Sequence, residues 1–190
     1  MKGGRSRCVS ARPASLAPSH RQTKQPTTQN QKKDRTMKGS AKVIKSFNKL
    51  LAGELRARDQ YFIHSRLCAN WGYGKLAELY GHEMAEETEH SDALIKRILL
   101  LDGEVDMEAE KIEAGKTIPQ MLQNDLKLEL AVRDNLKAAM KLCEEEQDYV
   151  SRDWLLQQLR DTEEDHAHWI EQHLGMIEKM GLENYLQSMI

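Results

Sequence analysis

Residues 87–90 read Glu-Thr-Glu-His and residues 163–166 read Glu-Glu-Asp-His, so the chain carries two Glu-x-x-His pairs, Glu87/His90 and Glu163/His166. Each pair follows a lone glutamate at nearly the same distance: 33 residues separate Glu54 from Glu87, and 34 separate Glu129 from Glu163. Around them, apolar side chains recur every three or four positions, the period of an α-helix facing a core. Positions i and i+3 lie on one helix face, so each pair can aim a carboxylate and an imidazole at one point. The same half-site, Glu then Glu-x-x-His, thus occurs twice on long helices.

Working outward, Phe47, Leu50, Leu51, Glu54, Ala57 and Tyr61 form one stripe, on a helix expected from Ala41 to about Trp71-Gly72. A second helix follows Gly74, with Leu79, Glu83, Glu87, His90, Leu94 and Leu101 on its stripe, and Asp102-Gly103 ends it. Residues 102–117 have no clear period and read as one long connection. A third helix starts near Pro119, a good first-turn residue, with Leu122, Leu126, Glu129, Leu136 and Met140 aligned. The fourth is expected from about Tyr149 to Met180, with Leu156, Leu159, Glu163, His166 and Ile170 on its stripe. Gly181 stops it, and Leu182–Met189 reads as a short fifth helix. The fold class is therefore all-α: an up-down-down-up four-helix bundle with one long crossover, the ferritin-like topology, plus a C-terminal helix.

The chemistry follows from where these acids sit. An ionised carboxylate on an apolar stripe is costly unless it is paired or bound to metal, and four converging carboxylates repel one another. Two divalent cations cancel four negative charges. Oxygen and imidazole donors without thiolates suit iron or manganese better than a closed structural zinc site. The spacing points to two metal ions side by side, with Glu54, Glu87, His90, Glu129, Glu163 and His166 as ligands.

Bulk composition agrees. Four prolines, 5% aromatic and 31% charged residues in 190 favour helices. The net charge of −2 is unevenly spread: residues 1–36 hold nine Lys/Arg against Asp34 alone, leaving −10 on residues 37–190. An acidic body suits a handler of cations rather than a nucleic-acid binder. Residues 1–36, with Pro13, Pro18 and Pro26 among polar residues, cannot bury enough surface to fold and are expected to be a disordered basic extension. That extension reads as a non-native stretch upstream of a start at Met37 as readily as a native segment, which would be either a targeting segment or a nucleic-acid-touching tail. Cys8, Cys68 and Cys143 have no ligand or redox spacing and read as reduced thiols. No apolar run reaches a membrane span, so a cytoplasmic location is expected and neither membrane nor nucleic acid is an expected partner.

At this point the residues resemble those of the bacterioferritins. The likeness covers Met37 to Ile190 and includes Met37-Lys38-Gly39, Asn48-Lys49-Leu50-Leu51, Asp59-Gln60-Tyr61-Phe62, Tyr149-Val150-Ser151-Arg152-Asp153, and Lys179-Met180-Gly181-Leu182 through Asn184-Tyr185-Leu186. The resemblance implies a hollow shell of twenty-four subunits that oxidises Fe²⁺ with O₂ or peroxide and stores the ferric product. It places Glu54 and His90 on one iron, Glu129 and His166 on the other, and Glu87 and Glu163 as bridges. It sets Tyr61 beside the centre and His82 with Glu86 near an inner-surface iron position. It also implies a ferredoxin as a partner for iron release. The departure is haem b, which the family holds between two subunits by paired methionines. Here that position is Thr88, which cannot replace a thioether on haem iron. Arg58 and Gly81 alter the neighbouring pocket, and Met84 lies one turn, about 5 Å, away. Haem is therefore not expected on a symmetric pair of these chains, and the subunit fits a ferroxidase-type member of a homo-oligomer or of a shell mixed with a haem-binding type. Two alternatives share some features. A rubrerythrin-like peroxide reductase would need a Cys-x-x-Cys iron domain, absent here. A DNA-associated stress ferritin would use the basic tail.

Overall fold

The structure is a computed structural model that describes residues 38–190. The expected extension, residues 1–36, lies outside the described residues, as does Cys8. The described residues form α1 (Ala41–Asn70), α2 (Gly74–Leu100), α3 (Ile118–Glu145), α4 (Tyr149–Arg160), a π-helical segment (Asp161–His166), α5 (Ala167–Met180) and α6 (Leu182–Ser188). No strand occurs among them. The α4–π–α5 run is the fourth rod of the bundle, so the architecture is the up-down-down-up bundle with one crossover that the pattern predicts. None of the described helices is long and apolar enough to cross a membrane.

Local signals place the helix ends. Ser40 and Thr117 cap α1 and α3, their hydroxyls accepting from Lys42 N at 3.2 Å and Gln120 N at 3.4 Å. Gly181, at φ +83°, supplies the left-handed residue that stops α5. The core is built from Phe47, Leu51 and Leu55 of α1, Leu76, Leu94 and Ile98 of α2, Leu122 and Leu136 of α3, and Leu155 and Ile170 of the fourth rod. On α2 the stripe runs through Leu76 and Tyr80 rather than Leu79, which is 38% exposed. Cys68 and Cys143 are free and buried, and burial pushes their thiols up to about 12 and about 11.

The crossover is tied down along α1. Asn48 takes Asp106 N on its side-chain oxygen at 2.8 Å and donates to Glu104 O at 2.9 Å. Further along, Glu110 N reaches Ala52 O (3.3 Å), Glu113 N reaches Gln60 Oε1 (2.8 Å) and Gly115 N reaches His64 Nε2 (3.2 Å). A Cβ at Gly115 would collide with the backbone of Gln120 and Met121, so only glycine fits this approach.

The fourth rod departs from the sequence pattern. The expected stripe of Leu156, Leu159, Glu163, His166 and Ile170 presumes one unbroken α-helix. The buried positions are instead Ser151, Leu155, Gln158 and Thr162, followed by His166, Ala167, Ile170 and His173. Arg97 sets the phase of α4 by donating to Ser151 Oγ (2.8 Å) and to Asp148 Oδ1 (2.9 Å), while Asp148 accepts from Ser151 N (3.1 Å). At the other end, α5 is held by His173 Nδ1 at 2.6 Å from the Tyr185 hydroxyl and by buried Ile170. The two buried faces are one residue out of step. The π segment closes its hydrogen bonds over five residues instead of four and so takes up the extra residue.

Candidate metal centre

α1 contributes Glu54 and Tyr61, α2 contributes Glu87 and His90, α3 contributes Glu129, and the π segment contributes His166. Glu54, Glu87, Glu129, His166 and Tyr61 are each 1% exposed, in the middle of the bundle. His90 Nδ1 lies 3.3 Å from Glu87 Oε2 and 3.8 Å from Glu54 Oε2. His166 Nδ1 lies 3.0 Å from Glu87 Oε1 and 3.6 Å from Glu129 Oε2. The imidazole centroids are 5.5 Å apart. Two donor groups result, Glu54–Glu87–His90 and Glu87–Glu129–His166, each with ligand atoms within 4.8 Å of one another. Glu87 belongs to both, one oxygen facing each histidine.

Glu163 is the predicted ligand that the structure does not bring to the cluster. Its side chain is 43% exposed and its carboxylate takes a hydrogen bond from Lys137 Nζ at 2.6 Å, outside the cluster. The π segment gives the physical reason. With bonds closing over five residues, the residue that shares a face with His166 lies four to five positions back, not three. Thr162, four back, is 2% exposed, its hydroxyl donating to Gln158 O at 2.9 Å. The i, i+3 logic that aligns Glu87 with His90 on α2 does not hold here.

The electrostatics follow from burying these acids and imidazoles together. Burial, reinforced by the nearby Glu87 charge, raises the Glu54 carboxyl well above the usual range. Burial acts to raise Glu87 too, but hydrogen bonds with Glu54, His166 and His90 outweigh it and hold that carboxyl low. Burial acts to lower His90, yet Glu54 and Glu87 outweigh it and lift the imidazole to about 11. Tyr61 is kept protonated by burial and by the charge of Glu129, to which its hydroxyl donates a hydrogen bond. Glu129 Oε2 and His166 Nδ1 are buried and make no hydrogen bond. Orphaned buried donors and acceptors are expensive, and these two face each other across a gap that a metal ion would bridge.

His82 and Glu86 also meet, His82 Nδ1 lying 3.3 Å from Glu86 Oε2, with Glu83 completing a third donor group. His82 is 67% exposed at its side chain, whereas Glu83 is buried, and burial pushes its carboxyl up to about 7 against the opposing pull of His166. Thr88 is exposed and spends its hydroxyl on Met84 O at 2.9 Å.

Sequence reading missed the neighbouring buried network. Asp125 accepts from Gln60 Nε2 (2.7 Å) and from the Tyr80 hydroxyl (3.0 Å), and its Oδ2 lies 3.0 Å from His64 Nδ1. All four side chains are fully buried. The available signal was a polar set, Gln60, His64 and Asp125, on stripes otherwise apolar.

A four-helix bundle with one long crossover and a carboxylate–imidazole centre on facing helices defines the ferritin-like class. The chain belongs to that family: residues 44–180 match the family described as "Ferritin-like domain". It is 58% identical over 154 residues to the "Bacterial ferritin" of Pseudomonas aeruginosa, covering 81% of this chain and 100% of that protein. It is 57% identical over 153 residues to the "Bacterial ferritin" of Synechocystis sp., covering 80% and 98%. It is 37% identical over 150 residues to the "Bacterioferritin" of Mycolicibacterium paratuberculosis, covering 78% and 94%. Iron storage is the function that goes with this family.

Proposed function

We propose that the chain oxidises Fe²⁺ at a two-iron centre formed by Glu54, Glu87, His90, Glu129 and His166, and passes the ferric product to a mineral core inside a cytoplasmic shell of twenty-four subunits. The observation that carries this reading is that two donor groups share Glu87. Iron is the substrate: two Fe²⁺ lose one electron each to O₂, yielding peroxide, or to hydrogen peroxide, yielding water. The residues fix the ion separation, neutralise charge and restrict water. Tyr61 orients Glu129 through its hydroxyl. The His82–Glu83–Glu86 group is a docking point for iron between centre and cavity, and a ferredoxin serves iron release. The functional domain is 37–190, with 1–36 a separate basic extension. That one bundle supplies all five ligands favours storage over the DNA-associated alternative.

The direct test is anaerobic Fe²⁺ titration of the purified protein with haem absorbance read in parallel. Two high-affinity Fe²⁺ per chain are expected at the centre. No bis-methionine haem spectrum is expected from the pure protein, because Thr88 offers no thioether; a mixed shell would acquire haem from its other subunit type. One haem per two of these chains contradicts the haem reading. Saturation at fewer than two ions per chain contradicts the paired centre.

The same protonation pattern predicts a pH dependence. In the metal-free centre His90, lifted to about 11, keeps both ring protons near neutrality, and burial shifts Glu54 toward its protonated form. A metal ion must displace them. Because these groups bind protons more tightly than usual, lowering the pH favours the proton and raising it favours the metal. Co²⁺ affinity should therefore rise between about pH 6 and pH 8, with protons released on binding. A pH-stat titration measures both, and binding with no proton release contradicts the assignment.

A further inference from the structure

The ring of His90 has two ends. Its Nδ1 faces Glu54 and Glu87. Its Nε2 faces Asp161 Oδ2 at 3.5 Å, a residue outside the ligand set. Asp161 is held from behind, its other oxygen accepting from Gln157 Nε2 at 2.9 Å. It is the first residue of the π segment. On an unbroken helix with Glu163 inward, Asp161, two positions back, would lie on the opposite face. The register change that turns Glu163 outward is the one that brings Asp161 to α2. His166 is arranged in the same way. Its Nδ1 faces Glu87 and Glu129, and its Nε2 lies 3.4 Å from Glu86 Oε2.

A neutral imidazole that ligates through Nδ1 must carry its proton on Nε2. A carboxylate at Nε2 selects that tautomer, fixes the ring plane and strengthens the donor. We infer that Asp161 is a positioning residue that orients His90 for metal through Nε2, so that the π segment exchanges a direct acid ligand for an outer one. This rests on the paired-metal reading of the centre.

Asp161 also lines a cleft of about 330 Å³ between α2 and α4, with Glu86, Glu89 and Asp165. A general attraction of cations by that acidic cleft is the competing explanation, and Asp165 provides the control. Co²⁺ does not turn over, so its d–d absorption reads each site without any oxidation step. The unaltered protein is expected to bind two Co²⁺ per chain. Asp161→Asn, which keeps the shape and loses the charge, should weaken one of the two by about tenfold or more and leave the other in place. Asp161→Glu should restore binding, and Asp165→Asn should leave both sites as they were. The inference is overturned if Asp161→Asn titrates like the unaltered protein, or if Asp165→Asn loses as much. If the unaltered protein binds no Co²⁺ pair, the paired centre itself fails and this inference goes with it.

Discussion

Glu87→Ala should stop rapid Fe²⁺ oxidation and remove both metal positions together. Glu87 places one oxygen 3.3 Å from His90 Nδ1 and the other 3.0 Å from His166 Nδ1, and it is the only residue in both donor groups. Its carboxyl is held low, so it is the charged acid around which the metal-free cluster is arranged. Losing a shared ligand should cost more than the ten- to hundredfold typical of an outer partner, so a fall of at least about a hundredfold in the initial rate is expected. Helix content and shell size should hold, because alanine is the best helix former. Glu163→Ala provides the contrast. Its ion pair with Lys137 is half exposed, and such pairs contribute under about 1 kcal/mol, so a rate change within about fivefold is expected. Stopped-flow absorbance of the ferric product measures both variants. Equal losses would show that Glu163 reaches the centre during turnover, against the geometry described.

Asp125→Ala should be the most damaging change to stability outside the centre. Asp125 accepts from Gln60 and Tyr80 and stands against His64, with every member fully buried. Removing the acceptor leaves three buried polar groups without their partner, each worth about 1–3 kcal/mol when orphaned. A loss of about 3 kcal/mol is a conservative expectation, or about 10 °C in the melt of a domain this size. Gln60 and His64 also accept from Glu113 N and Gly115 N, so the end of the crossover should loosen with them. Thermal unfolding of the metal-free protein followed by circular dichroism checks this. A midpoint within 2 °C of the unaltered protein would show that the network contributes little.

Some of this was legible from local features. Helix number and ends follow from Gly74, Asp102-Gly103, Pro119 and Gly181, whose turn chemistry acts within a few residues. The crossover follows from the loss of period at residues 102–117. The convergence of Glu54, Glu87, His90 and Glu129 follows from spacing because α1, α2 and α3 are regular, so a count of threes and fours is a count of directions. Asp125 was hidden for a different reason: its partners on α1 and α2 lie 65 and 45 residues away, and sequence distance says nothing of which polar groups meet.

The fourth rod marks the boundary between the two. By itself the sequence determined an all-helical chain with its ends, its long connection, and acids recurring on otherwise apolar stripes. Leu156, Leu159, Glu163 and Ile170 keep an unbroken helical period, and nothing local argues against it. Only the tertiary structure decided the register, because the phase of α4 is set by Arg97 on α2 and that of α5 by Tyr185 on α6. Those two anchors disagree by one residue. The backbone settles the difference in a π segment, which turns Glu163 out to Lys137 and brings Asp161 to His90.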